Sequence, residues 1–216
     1  MLTFAEEYLL LAHDEMSGNF AQIPLPFLGA ALAGGCLMDL ALLGRVDSNP
    51  NHLILVDSQK TTEPILDLCL SWISQARESR SVKEWVKVLA HKGAPLRDLA
   101  LDRLLSRGIL ELKNKRFLWV FRSRAYPLID NREIIEVKHR ITNVLFNDEI
   151  PDPRDCFLVV LAERSGLMSH LFRGEMSDYH NDRITQLIHL DLFAGAVNQA
   201  LRQIQLAILA EPFGHP

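Results

Sequence analysis

PFLGAALAGGCLMDLALL, residues 26–43, predicts the central helix around which the rest of the chain packs. It is apolar on almost every side, and such a helix belongs at the centre of a core. Pro26 suits the first turn because its missing N–H is not needed there, and Gly44 suits the end because glycine adopts left-handed conformations. The pair Gly34-Gly35 weakens the helix by about 1 kcal/mol per residue, so we expect another backbone to pack closely against it.

The same region contains a long uncharged run, which includes residues 22–38. Prolines and glycines interrupt it and Asp39 closes it, so we predict that it is too short and too broken to span a membrane. The N-terminus has no basic start and carries early carboxylates, which argues against a signal peptide. We expect a buried core helix instead.

Composition favours an ordinary globular protein, with 48% hydrophobic and 23% charged residues. The three cysteines, Cys36, Cys69 and Cys156, lie in apolar, helix-like runs without a CxxC spacing. This pattern predicts buried, reduced thiols and therefore a reducing, cytoplasmic environment.

Periodicity and end signals predict a mainly α fold: one globular helical domain with one or two β-hairpins, arranged as winged-helix-like helix–hairpin units. Thr3 with Glu6, and Ser81 with Glu84, predict two capping boxes. The predicted helices are residues 3–13, 26–43, 63–76, 82–91, 95–107, 130–147, 152–163, 166–173, 177–189 and 193–211, and the hairpins are residues 45–57 and 109–121. Gly108, like Gly44, stops a helix just before a hairpin.

Charge is distributed unevenly along the chain. Residues 77–140 contain 16 Lys or Arg and 8 Asp or Glu, whereas the remainder contains 7 and 19. If the basic excess gathers on one face it attracts an anionic surface. The alternative is that these charges are scattered over solvated helix faces.

Catalytic motifs are missing from the sequence. We find no GxGxxG, P-loop, GxSxG or HExxH pattern, and the eight histidines are dispersed. We therefore predict a binding protein rather than an enzyme, with no catalytic residues, no cofactor and no metal site.

The second predicted hairpin has an unusual strand. With the turn placed at Asn114, the return strand carries Phe117, Trp119 and Phe121 on one face, and its other face is apolar too. Unless it is covered, the edge of such an apolar hairpin tends to pair with another chain. Either the protein's own C-terminal helices cover it, or it supports self-association or target binding. In the second case Trp119→Asp should break a homo-oligomer without unfolding the domain.

A helix followed by a basic hairpin also suggests a winged helix that binds DNA. Arg97, Arg103 and Arg107 would line the helix. Asp98 and Asp102 on the same helix, and the overall acidity, argue against nucleic acid as a partner.

Four segments together resemble the Golgi phosphoprotein 3 family. They are residues 2–11 (LTFAEEYLLL), 34–45 (GGCLMDLALLGR), 104–110 (LLSRGIL) and 157–162 (FLVVLA), in matching order and spacing. The resemblance covers nearly the whole chain and implies one domain, residues 1–216. It also implies a peripheral membrane adaptor on the cytosolic face of a membrane. Such adaptors bind phosphatidylinositol 4-phosphate, hold short cytosolic peptide tails of membrane proteins, and self-associate through the hairpin.

The family's head-group pocket uses one tryptophan and three arginines. By this resemblance the tryptophan position falls at Pro24, two of the arginine positions at Ala33 and Ala94, and the third at Arg97. Arg97 alone is kept, and one arginine cannot supply the several charge-assisted hydrogen bonds that a phosphorylated head group needs. The candidate replacements for the lost arginines are Arg103, Arg107, Arg122 and Arg124. The sequence is also expected to lack the family's basic N-terminal extension.

The predicted function is therefore binding of phosphatidylinositol 4-phosphate or another anionic phospholipid head group. The alternative is a lipid-independent interaction scaffold that self-associates through residues 109–121.

Overall fold

The central element of the computed structural model is a long helix that spans Leu25–Leu42, and every residue from Gly29 to Ala41 in it is buried. The structure describes residues 1–117, 121–147, 151–172, 178–189 and 199–210. The helices are α1 (Phe4–Leu11), α2 (Leu25–Leu42), α3 (Pro64–Ser74), α4 (Val82–Ala90), α5 (Gly93–Ser106), α6 (Arg132–Phe146), α7 (Pro153–Arg164), α8 (Met168–Leu171), α9 (Asp178–His189) and α10 (Gln199–Ala210). The predicted mainly α fold is confirmed.

Helix α2 is packed on all sides, by α1, α3, α4, α5, α7 and α10. It is long and apolar enough to cross a membrane by length and composition, so the expectation that it is too short was wrong. The prolines lie at its start and therefore do not break it. Because 72% of this helix is buried inside the fold, it is the core helix that the sequence predicted.

In the described part of the chain, strands occur as three antiparallel pairs: β1 (His13–Asp14) with β2 (Asn19–Phe20), β3 (Val46–Ser48) with β4 (Leu53–Leu55), and β5 (Lys113–Phe117) with β6 (Phe121–Ala125). Gly44 and Gly108 have φ angles of +65° and +68° and end the helices before the second and third pairs, as predicted. The small first pair was not predicted. All three cysteines are free and buried, in agreement with the sequence.

The second predicted hairpin, residues 109–121, corresponds to the third strand pair, β5 with β6, and is called the third hairpin below. Its predicted register was wrong. Asn114 is not in the turn but lies in β5 opposite Arg124, and the last pair is Phe117 with Phe121. The pairing continues from the hairpin base, where Leu110 and Leu128 form a bridge, so its register is fixed from the core side. Trp119, on the face predicted either to be covered by the C-terminal helices or to support self-association or target binding, lies outside the described residues.

Helix α5 begins two residues earlier than predicted, at Gly93 rather than Pro95. Proline is tolerated there because the first turn of a helix has unsatisfied N–H groups in any case. The earlier start brings the first turn of α5 against α2.

Glycines allow α2 to contact its neighbours. A Cβ atom on Gly35 would lie 2.9 Å from the Cβ of Phe4, and one on Gly34 would lie 2.5 Å from the Cδ1 of Ile208. The close backbone approach predicted at this pair is therefore found at Gly35, against α1, whereas Gly34 accommodates a side chain of α10.

Helix α1 is buried along its whole length, including its charged residues Glu6 and Glu7. Its start is stabilised by the predicted capping box: the Glu6 N–H donates to the Thr3 hydroxyl, and the Thr3 N–H donates to the Glu6 carboxylate over 2.7 Å. The hydroxyl of Tyr8 donates to Ser165 Oγ over 2.7 Å and so ties α1 to the end of α7.

Candidate functional site

A cavity of about 330 Å³ lies where the start of α2 meets the junction between α4 and α5. Its lining is mostly apolar and small, with three basic side chains. The lining residues are Leu25, Pro26, Leu28, Gly29, Ala30, Lys87, Ala90, His91, Gly93, Ala94 and Arg97. A largely apolar recess with a few convergent polar groups is the usual form of a ligand site.

Two of the lining residues, Gly29 and Gly93, are in direct contact. A Cβ atom on Gly29 would lie 2.3 Å from the carbonyl oxygen of Ala90, and one on Gly93 would lie 2.7 Å from the Cα of Gly29. The backbones of α2 and of the α4–α5 junction therefore touch directly. This contact holds the first turns of α2 and α5 in fixed positions beside the cavity.

Helix ends add a positive potential at the cavity. Both α2 and α5 begin here, at Leu25 and Gly93, and each N-terminus acts as roughly +0.5 of a charge. Helix α4 ends here as well, at Ala90, and contributes roughly −0.5. Lys87 and His91 lie in and just after its last turn and offset that negative end.

The basic side chains come from α4, its C-cap and α5. Lys87 and His91 are exposed and lie one helical turn apart. The Nδ1 atom of His91 lies 2.7 Å from the carbonyl oxygen of Lys87. Because a carbonyl oxygen only accepts, Nδ1 carries the proton, and Nε2 remains as the second nitrogen for a ligand. Arg97 is 40% exposed, and its guanidinium lies 3.0 Å from the carboxylate of Asp98.

The four positions that the family resemblance assigned to the head-group pocket fall in different surroundings. Arg97 and Ala94 line the cavity. Pro24 is exposed and immediately precedes α2, next to the lining residue Leu25. Ala33 is completely buried in the middle of α2 and is not among the lining residues.

Among the arginines whose side chains the structure describes, Arg103, Arg107 and Arg124 are not lining residues of the cavity. Arg103 lies 2.7 Å from Glu63 and 3.7 Å from Glu6, and Arg107 lies 3.9 Å from Glu133. Both are thus paired with the protein's own carboxylates. In strand β6, the backbone of Arg122 lies opposite that of Arg116, and the backbone of Arg124 lies opposite that of Asn114. Arg124 is exposed.

Some basic side chains of the middle segment, residues 77–140, form ion pairs with carboxylates from the acidic remainder of the chain. Arg140 bonds Glu7 and lies 3.3 Å from Asp155, and Lys138 lies 2.6 Å from Glu15. These charges are paired with carboxylates within the fold. The sequence could not show this because the paired residues are far apart along the chain.

A buried ionic cluster, also missed from the sequence, lies at the other end of α2 beside a second cavity of about 590 Å³. Arg154 reaches Glu7 at 2.9 Å and Asp39 at 3.1 Å, and its guanidinium lies 3.8 Å from the centre of the Phe4 ring. The Phe4 N–H donates to Asp39 over 2.8 Å. Burial nevertheless raises the pKa of Asp39 to about 6, because the loss of hydration outweighs the opposing effects of Arg154 and the Phe4 N–H.

Within the described ranges, no group of three or more His, Cys, Asp and Glu side chains could hold a metal ion. Burial raises the pKa of Cys156 to about 11, and a hydrogen bond to Cys69 together with burial raises the pKa of Cys36. These thiols therefore stay protonated near neutral pH and are poor nucleophiles.

Comparison with known proteins identifies a family for the chain. No curated protein gives a significant match to the chain. A family model described as Golgi phosphoprotein 3 (GPP34) matches residues 4–204, which extend from the start of α1 into α10. Because this match covers nearly the whole sequence, the chain belongs to the Golgi phosphoprotein 3 family.

Proposed function

We propose that the protein is a peripheral membrane-binding module that acts on the cytosolic face of a membrane and is not an enzyme. The observation that carries this proposal is the cavity at the start of α2, where Lys87, His91 and Arg97 surround an apolar recess. The ligand proposed for it is a phosphorylated phospholipid head group, with phosphatidylinositol 4-phosphate as the form that family membership favours.

Charge and geometry support an anionic ligand. Phosphate oxygens accept hydrogen bonds from guanidinium and ammonium groups, and such charge-assisted bonds are about twice as strong as neutral ones. The two helix N-termini add positive potential at the same place. The net effect of three helix ends and three basic side chains therefore favours a phosphate over a neutral ligand.

Lys87 and His91 offer a replacement for the arginines that this chain lacks. Of the family's three arginine positions, Arg97 is kept, and it faces competition from its neighbour Asp98. A site built from one arginine, one lysine and one histidine is less specific than one built from three bidentate arginines. We therefore expect this protein to discriminate phosphatidylinositol 4-phosphate from other anionic lipids less strongly than a pocket with three arginines does.

Co-sedimentation with vesicles tests the proposal. Three vesicle compositions separate the possibilities: neutral phosphatidylcholine, the same lipid with phosphatidylserine, and the same lipid with phosphatidylinositol 4-phosphate. Arg97→Ala and Lys87→Ala should each weaken binding roughly fivefold, since one basic residue near an anionic surface contributes about 1 kcal/mol. Arg132→Ala is the matched control, because Arg132 is exposed but is not among the lining residues.

Binding that is equal for the native protein and both cavity variants would contradict the assignment of the cavity. Absence of binding to all three vesicle types would overturn lipid binding and leave the alternative, a scaffold that self-associates through its third hairpin. Size-exclusion chromatography with light scattering then tests that alternative by comparing the native protein with Trp119→Asp.

A further inference from the structure

Leu25, the first residue of α2, is a large apolar side chain in an exposed position. It is 70% exposed and forms part of the cavity rim. Its neighbours on both sides, Pro24 and Pro26, are also exposed. A short apolar protrusion therefore stands directly beside the basic groups of the cavity.

The backbone under this protrusion is rigid. Proline rings restrict φ on both sides of Leu25. The first turn of α2 is fixed to the α4–α5 junction by the contact between Gly29 and Gly93. A rigid segment loses little conformational entropy when it binds. The favourable free energy of transferring Leu25 out of water is therefore not offset by the cost of ordering this segment.

We infer that Leu25 inserts into the acyl-chain boundary of an anionic bilayer while Lys87, His91 and Arg97 engage the head groups. This inference rests on the proposed function and deepens it, because it identifies an apolar contribution and fixes which surface faces the membrane. Burial of apolar area and attraction to anionic lipids both strengthen binding at a bilayer surface, so Leu25 and the basic groups act in the same direction.

A bilayer fits this surface better than a protein partner. Specific protein interfaces bury about 800 Å² on each side and have an apolar centre made of several residues. Here one leucine between two prolines stands next to positive charge. A bilayer needs no shape complementarity to receive it, and an anionic bilayer matches the charge of the cavity.

A fluorophore at position 25 tests the inference. The three native cysteines are buried, so Leu25→Cys provides one accessible thiol for labelling with an environment-sensitive nitrobenzoxadiazole group. The matched control is Leu43→Cys, because Leu43 is 55% exposed and lies at the opposite end of α2, roughly 27 Å away along the helix. With phosphatidylserine vesicles we expect a blue-shifted, brighter signal at position 25, quenched by lipids brominated on the acyl chain. The signal at position 43 should not change.

Substitution by serine gives a second measurement. Leu25→Ser should weaken co-sedimentation roughly five- to tenfold, because the apolar side chain is lost. Salt screens interactions between charges but not the transfer of an apolar side chain. The fold-decrease in vesicle affinity caused by Leu25→Ser should therefore be similar at low and high salt. The factor lost by Arg97→Ala should shrink as salt rises.

The outcomes separate this inference from the proposed function. If the protein binds anionic vesicles but the probe at position 25 stays aqueous and Leu25→Ser binds normally, the inference is overturned and the proposed function stands. If the native protein binds no vesicles, both are overturned. Insertion at position 25 with loss of binding in Leu25→Ser supports both.

Discussion

Gly29 and Gly93 contact each other through their backbones, so that a Cβ atom on Gly93 would lie only 2.7 Å from the Cα of Gly29. The same glycine on α2 faces the Ala90 carbonyl oxygen, at 2.3 Å from the position a Cβ would take. Neither neighbour is the flexible end of a side chain. The start of α2, which carries Leu25 and one wall of the cavity, therefore depends on two residues without side chains.

Gly29→Ala should destabilise the protein by about 3 kcal/mol, because the added methyl group forces backbone apart in a packed region. Gly44→Ala is the matched control: Gly44 has positive φ but no atom within 4 Å of its Cβ position, so its cost should be about 1 kcal/mol. Urea unfolding measures both changes. Equal losses would mean that the contact at Gly29 relaxes easily.

Arg154→Met should lower the free energy of unfolding by about 3–5 kcal/mol. The substitution keeps much of the apolar bulk but leaves the buried carboxylates of Glu7 and Asp39 with one fewer partner. Arg132→Ala serves as a control, because the pair that Arg132 forms with Asp130 is exposed. The urea midpoint of Arg132→Ala should match that of the native protein. A small effect of Arg154→Met would show that Glu7 is satisfied by Arg140 alone.

Stability should depend on pH through Asp39. Its pKa is raised from 3.8 to about 6 in the folded state, so between these values the folded protein holds a proton that the unfolded chain has released. The contribution of Asp39 is therefore full below about pH 4 and is lost as pH rises to about 6.

Asp39→Asn isolates that contribution, since asparagine does not titrate. The free energy of unfolding of the native protein minus that of the variant should fall by up to about 3 kcal/mol from pH 4 to pH 6.5. Chemical denaturation at a series of pH values measures this difference. A flat difference would show that Arg154 compensates the charge of Asp39 completely.

Asp98→Asn should strengthen binding to anionic vesicles roughly fivefold, because the neighbouring carboxylate that competes for Arg97 is removed. Asp130→Asn removes an exposed carboxylate that pairs with Arg132, which is not a lining residue, and should leave binding unchanged. Co-sedimentation at constant ionic strength compares the two variants. An equal gain in both would indicate a general effect of net charge.

Local signals in the sequence predicted the helices well. The capping boxes at Thr3 and Ser81 and the glycine ends at Gly44 and Gly108 depend on residues within one or two turns, and each is present in the structure. Long-range pairing was less predictable. The third hairpin was placed with its turn at Asn114, because the sequence alone does not show that β5 pairs as far along the chain as Ala125.

The candidate site was predicted in part. Ala94 and Arg97 line the cavity, whereas Lys87 and His91 were not singled out. They enter through the packing of α4 against α2, which no sequence motif records. A spacing of four between two basic residues at the end of a helix was the available signal, and it is common on solvated faces.

Burial of α1 has a consequence for how the chain is made. Among the described helices, this one leaves the ribosome before the others, yet Ser165, the hydrogen-bond partner of Tyr8, follows 157 residues later. At typical rates of synthesis that interval is roughly 8 to 30 s. During it, α1 lacks the α6 and α7 surfaces that cover it in the finished protein. Folding of this chain is therefore expected to be largely post-translational, with α1 a natural site for chaperone capture, and truncation before α7 should yield aggregates.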